Sequence, residues 1–292
     1  QKKPVVAVMM ATEEFHEEIK ERPDLPPVYH FPESAARALA HLRHYSYLRS
    51  RPLDQEIPVF PVDDPAVATL IASCGTGYMP SDKAFQLLEL YGIPVARWQV
   101  VHGVEAVKEA AEEIGYPVVV KAAAEELIHK SDLGGVKVDL RSAEELETAI
   151  EDIQTSLAEA GIGNNRFLVQ EMAKGGHEVI FGITTDPRFG PLLMFGLGGR
   201  YVEVFRDVRF GVTPLTPYEA GGLIRGIQGF KLLEGVRGEA GADLELLEDV
   251  LLRIAQLAQR HPRIQELDIN PFLAGSDKET CKALDVRIRV GF

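Results

Sequence analysis

The sequence predicts an α+β (broadly α/β) protein with a mixed or antiparallel sheet, preceded by a small α/β segment. Three observations predict it. Strand-like and helix-like segments alternate early in the chain, and strands predominate later. Helix stops recur as a Gly followed two residues on by a Pro, at Gly92/Pro94 and Gly115/Pro117. Pro52, Pro58, Pro61, Pro65 and Pro80 crowd one stretch, which marks it as a connector. A chain of 292 residues has room for two units, since one domain takes roughly 100–200. The expected division is a partial α/β segment over 1–57, a linker over 58–80 and a main domain over 81–292.

Each element has a local reason. Residues 4–10 are β-branched and apolar and read as a buried strand. Residues 12–22 read as a charged helix and 28–31 as a second short strand. Over 35–48, Ala35, Leu39, Leu42 and Tyr45 recur at helical spacing. This strand–helix–strand–helix piece holds too few strands for an independent sheet. The stretch 51–80 reads as extended, with at most one helical turn.

The main domain opens with a helix over 81–91, followed by a strand over 98–101 and the helix Val104–Ile114. Val118–Ala122 is a strand, and so is 134–140, where Val136, Val138 and Leu140 alternate with Lys137 and Asp139. Ser142 and Glu145 have capping-box spacing ahead of a helix over 143–160. Strands are expected over 166–172, 178–184, 191–196 and 201–206. Leu244–Arg260 carries Leu247, Val250, Leu251, Ile254, Leu257 and Ala258 on one helical face. Strands over 264–269, 272–274 and 283–290 follow.

Bulk properties exclude some functions. Acids outnumber bases 44 to 31, a formal net charge of −13, which disfavours a nucleic-acid surface. The short basic stretch over 43–51 reads as a solvated helix face. Local donors and a metal ion still let an acidic protein bind ATP. Cys74 and Cys281 have no metal-ligand spacing and point to a reducing cytoplasm. No apolar run approaches the roughly 20 residues of a membrane span. The apolar stretch after Lys3 is too short for a secretory signal. A start at Gln1, running at once into a strand, predicts a processed or truncated product.

Four features carry chemistry. Lys121 ends an apolar strand, where it either snorkels to the sheet edge or meets an anion such as phosphate. The loop His129-Lys130-Ser131-Asp132-Leu133-Gly134-Gly135 is either a hairpin turn or a backbone cradle for a ligand. Leu168-Val169-Gln170-Glu171-Met172-Ala173, followed by Glu178, is either a plain strand or one whose end pairs with an adenine edge. In Glu266-Leu267-Asp268-Ile269-Asn270-Pro271, Asp268 and Asn270 share one strand face, with Asp285 on a candidate neighbouring strand. That set is either solvated or a hard oxygen site for Mg²⁺.

Taken in order, these pieces resemble a known family. The matching runs are residues 87–95, the strand ending in Lys121, His129 to Val136, and Thr185-Asp186-Pro187-Arg188-Phe189-Gly190-Pro191. Met194-Phe195-Gly196-Leu197-Gly198-Gly199 and Asp268-Ile269-Asn270-Pro271 complete the set. Together they resemble the ATP-grasp unit of NDP-forming acyl-CoA synthetases, and more distantly the beta subunit of succinyl-CoA synthetase. Residues 4–51 resemble the end of the CoA-ligase region that precedes ATP-grasp in fused synthetases.

The resemblance implies an ATP-grasp fold, an ATP/ADP and Mg²⁺ site, and roles for particular residues. Lys121 would hold the phosphates, with Lys130 adding charge. Gln170, Glu171 and Ala173 would lie at the adenine hinge and Glu178 near the ribose. Asn270 and Asp285 match metal-ligand positions. Asp268 stands where relatives often have Glu, which leaves its role open. His129 either carries phosphate between sites or positions its loop.

CoA and a phosphohistidine would be supplied by domains on the same protein or another subunit, so this chain alone should lack a full catalytic cycle. The expected reaction is acid plus CoA plus ATP giving acyl-CoA, ADP and phosphate. An alternative is a nucleotide-binding regulatory region of a protein acetyltransferase. A carboxylate–amine ligase is a third reading, disfavoured by the His129 loop. No membrane or nucleic-acid partner is expected, and an oligomer is compatible.

Overall fold

The computed structural model describes residues 3–20, 22–52, 55–123, 134–163, 165–199, 207–236, 238 and 240–292. The chain forms two compact units, Gln1–Gln55 and Glu56–Phe292.

In the first unit β1 (Ala7–Val8) pairs in parallel with β2 (Val28–Tyr29). Helix α1 (Glu13–Lys20) connects them and α2 (Pro32–Arg49) follows. The strand–helix–strand–helix order is the expected one, but where a buried strand is expected over 4–10 the strand is two residues long, with Val5 and Met10 exposed beside it.

The second unit begins earlier than the proline content suggests. The stretch expected to be an extended linker carries α3 (Asp64–Ser73). Val67, Leu70 and Ile71 of that helix lie in the core. Pro65 falls in the first helical turn, where a missing N–H costs nothing, and the Asp63 side chain accepts from Ala66 N at 3.0 Å. Proline here starts a helix instead of excluding one.

Beyond β3 (Gly77–Tyr78) and α4 (Ser81–Leu90), four strands form one antiparallel sheet. They are β4 (Trp98–His102), β5 (Val118–Ala122), β6 (Val136–Leu140) and β7 (Arg166–Glu171), in the order β4-β7-β5-β6. Helices α5 (Val104–Ile114) and α6 (Ala143–Glu159) cover one face, burying Val107, Ile114, Leu146, Ile150 and Ile153.

A larger antiparallel sheet runs β10-β9-β8-β11-β13-β3, with β12 also pairing β11. Its strands are β8 (His177–Asp186), β9 (Gly190–Leu197), β10 (Val208–Val212), β11 (Ile264–Ala274), β12 (Lys282–Ala283) and β13 (Val286–Val290). Helices α3, α4, α7 (Pro217–Gly226) and α9 (Leu244–Arg260) contribute to its core, and the short α8 (Phe230–Leu233) adds Leu233. Phe181 packs on Phe195 and Phe272 with ring centroids 5.3 and 5.2 Å apart.

The two segments expected as separate strands over 264–269 and 272–274 are one strand, β11, with a register shift between Ile269 and Phe272. The strand expected over 201–206 lies outside the described residues. No helix among the described residues is long and apolar enough to cross a membrane.

Candidate functional site

Strand alternation aims the smaller sheet at the site. Val118, Val120 and Ala122 of β5, with Phe167 and Val169 of β7, pack under α5 and α6. Residues between them turn to the opposite face. Val119 pairs with Gln170, and Lys121 with Leu168. Lys121 and Gln170 therefore leave their sheet on the same side.

The larger sheet answers with the same logic. Leu267 and Ile269 of β11, and Val286 and Ile288 of β13, are core. Asp268 and Arg287 are register partners on the other face. Just past Ile269, where the register with β8 shifts, Asn270 meets the segment between β12 and β13. Asn270 N donates to the Asp285 carbonyl at 3.2 Å, and Asn270 Oδ1 accepts from Gly199 N at 3.3 Å. Gly198 N donates to the Glu178 carbonyl at 2.7 Å. The Gly198-Gly199 turn thus binds β8 and β11 together at the rim.

Between these faces lies a cleft of about 490 Å³. Lys121, Gln170, Glu171, Ala173, Glu178, Asn270 and Asp285 all line it. His129 and Lys130 lie outside the described residues. Arg287 also lines the cleft, as do Gly175 and Gly176, and sequence reasoning did not single them out. The signal for Arg287 is its place between the apolar Val286 and Ile288 in an alternating strand.

Lys121 is buried, at 8% exposure. Its Nζ donates to the Leu284 carbonyl at 2.6 Å and lies 4.0 Å from Asp285 Oδ1. Burial pushes its pKa down, and the Asp285 charge opposes that shift. Of the two readings open for this residue, snorkelling to solvent does not fit a buried ammonium.

Glu171 accepts from Lys282 Nζ at 2.6 Å, from Arg97 N at 3.0 Å and from Arg97 Nε at 2.9 Å. Burial works against its charge, but Lys282 and Arg97 outweigh it and hold the carboxyl below the usual range. Asp268 is pushed up to about 6 by burial, with Arg287 pulling it down and Asp285 pushing it further up. Its Oδ1 and the Gln170 Nε2 are buried polar atoms without a partner among the described residues.

Among the described residues no three His, Cys, Asp or Glu side chains cluster as a metal set. The chemistry of the donors nevertheless fits Mg²⁺, which needs only one or two protein oxygens beside phosphate and water. Asn270 and Asp285, both lining the cleft, are the residues whose oxygens could serve, and the Oδ1 of Asp268, without a partner among the described residues, belongs to the neighbouring stretch of β11.

The fold and cleft define a class. An ATP-grasp domain family model matches residues 71–290. The beta subunit of acetate–CoA ligase [ADP-forming] I from Pyrococcus furiosus is 39% identical over 208 residues, covering 70% of this chain and 89% of that one. The chain therefore belongs to the ATP-grasp family of ADP-forming acyl-CoA synthetases.

The Archaeoglobus fulgidus acetate–CoA ligase [ADP-forming] I is 37% identical over 250 residues, 84% of this chain but 36% of that protein. The chain thus spans little more than a third of that relative's length. A solved structure of the Ca. Korarchaeum cryptofilum dinucleotide-forming acetyl-coenzyme A synthetase 1, with coenzyme A and Ca-AMPCP, superposes with a TM-score of 0.73. It is 36% identical and covers 78% of this chain and 100% of that one. Another structure of that protein holds coenzyme A and Mg-AMPPCP, with a phosphohistidine segment pointing towards the nucleotide binding site.

Proposed function

We propose that the cleft binds Mg-ATP or Mg-ADP and exchanges the γ-phosphoryl group with a histidine, as one part of acyl-CoA formation from acid, CoA and ATP. The observation that carries this reading is convergence. Seven residues picked out along the chain, from Lys121 to Asp285, line a single cleft between two sheets. The nucleotide analogues held by the Korarchaeum structures support it.

Lys121 would neutralise phosphate charge from the smaller sheet. Gln170, Glu171 and Ala173 would seat the adenine, and Glu178 the ribose. Asn270 and Asp285 would hold Mg²⁺, which when bound neutralises β- and γ-oxygens. Lys121 Nζ lies 4.0 Å from Asp285 Oδ1, which supports a contribution by charge placement and in-line positioning. An imidazole nitrogen attacks the γ-phosphorus. The N–P bond forms as the bond to the β,γ-bridging oxygen breaks, and that oxygen leaves on ADP. The reverse step makes ATP.

We assign the CoA-binding and phosphohistidine-carrying groups to other domains or another subunit, and we retain His129 as a phosphate-carrying residue. The beta-subunit relative supports a partner subunit. The free thiols of Cys74 and Cys281 support a cytoplasmic setting.

The test is calorimetric titration of this chain with ATP and ADP, with and without Mg²⁺. Metal-dependent binding is expected, and ATP should form when ADP and a phosphohistidine-bearing partner domain are added. Binding without any ATP formed would leave a nucleotide-sensing region and remove the enzymatic reading.

A further inference from the structure

We propose that Arg287 grips the γ-phosphoryl group, so that this residue separates the triphosphate from the diphosphate state of the site. The assignment rests on the nucleotide reading above and goes beyond it. Arg287 sits in β13 between Val286 and Ile288, both buried in the core, so alternation sends it to the cleft face. It lines the same cleft as Lys121, Asn270 and Asp285.

The other cations nearby are already engaged. Lys121 is tied to the Leu284 carbonyl, Lys282 and Arg97 to Glu171, and Arg289 to Glu266 at 2.7 Å. No hydrogen bond or ion pair among the described residues engages Arg287. Its register partner on β11 is Asp268, whose Oδ1 is itself without a partner among the described residues. A guanidinium and a carboxylate thus stand on one face, opposite each other, unbonded.

A planar fork of donors held ready in a half-buried cleft suits a tetrahedral oxyanion better than water does. Its position selects which phosphate. Asp285, proposed above to hold the Mg²⁺ of the nucleotide's terminal phosphates, lies two residues earlier in the chain and lines the same cleft. Arg287 therefore faces the end of the nucleotide where charge is transferred.

The experiment compares binding of Mg-AMPPCP and Mg-ADP to the unsubstituted chain, R287Q and R287K by calorimetry. R287Q should weaken Mg-AMPPCP by roughly tenfold or more, the worth of a charge-assisted hydrogen bond. Mg-ADP should change by less than about twofold. R287K should fall between, since an ammonium keeps the charge but not the fork, and it carries the comparison if R287Q does not fold. Equal losses for both nucleotides, or no loss for either, would overturn the assignment while leaving the nucleotide reading intact. If the unsubstituted chain binds neither nucleotide, the nucleotide reading fails and this assignment falls with it.

Discussion

Lys121 Nζ donates to the carbonyl oxygen of Leu284 at 2.6 Å, joining a strand of the smaller sheet to the turn between β12 and β13 of the larger one. The contact spans 163 residues of sequence and gives a carbonyl partner to an ammonium whose pKa burial lowers. Lys121→Ala should lower Mg-ATP affinity about 10- to 100-fold by removing a charge-assisted phosphate contact. Stability should fall by only about 1–2 kcal/mol, because the lost hydrogen bond is offset by relief of a desolvated charge. Calorimetry and urea unfolding of the same sample separate the two effects. Unchanged affinity would remove Lys121 from the site.

Glu171 predicts a pH dependence. Its carboxyl is held low by Lys282 and Arg97 against the cost of burial. An acid whose folded pKa is depressed contributes stability above its unfolded pKa, about 4.3, and loses it as pH falls through the folded value. Glu171→Gln should therefore cost about 1–3 kcal/mol at neutral pH. The gap between the two proteins should close as pH drops below about 4. A constant gap across that range would show that the ion pairs contribute nothing.

Gly199 is in the left-handed region at φ 63, and a Cβ there would run into the Glu178 carboxylate. Gly199→Ala should cost about 1–2 kcal/mol in backbone strain and push Glu178 aside. Loss of nucleotide affinity beyond the loss of stability is the expected result. Reduced melting temperature with full affinity would take Glu178 out of the ribose contact.

The two cysteines should differ in reactivity. Burial pushes the Cys281 thiol up to about 11, whereas Cys74 is half-buried. Iodoacetamide at pH 8 should alkylate Cys74 first, with Cys281 modified only after unfolding, as peptide mass mapping would show. Because the folded pKa exceeds the unfolded value of about 8.5, stability should fall as pH rises from there toward 11. Equal labelling of both in the folded chain would contradict the buried placement.

Local signals carried much of the fold. Val104–Ile114, Val118–Ala122 and Leu244–Arg260 were readable to the residue, because glycine stops, periodicity and flanking prolines agree there. Where signals conflict, reading failed. Proline density hid α3, although Asp63 and Pro65 together are a helix start. The same start recurs as Thr216-Pro217 with Glu219 in a capping box at α7, and it also went unread. Both cases show proline acting at the first turn, where position and not composition decides its effect.

The sequence by itself determined which residue types could meet a nucleotide, and which strand faces they occupy, because alternation is a local property of the backbone. Only the tertiary structure decided that Lys121 and Asp285 face one cleft, and that Arg287, which also lines it, is the register partner of Asp268. Those relations depend on the register between strands far apart in the chain. Register is set by which side chains bury together, and no local window of sequence contains both partners.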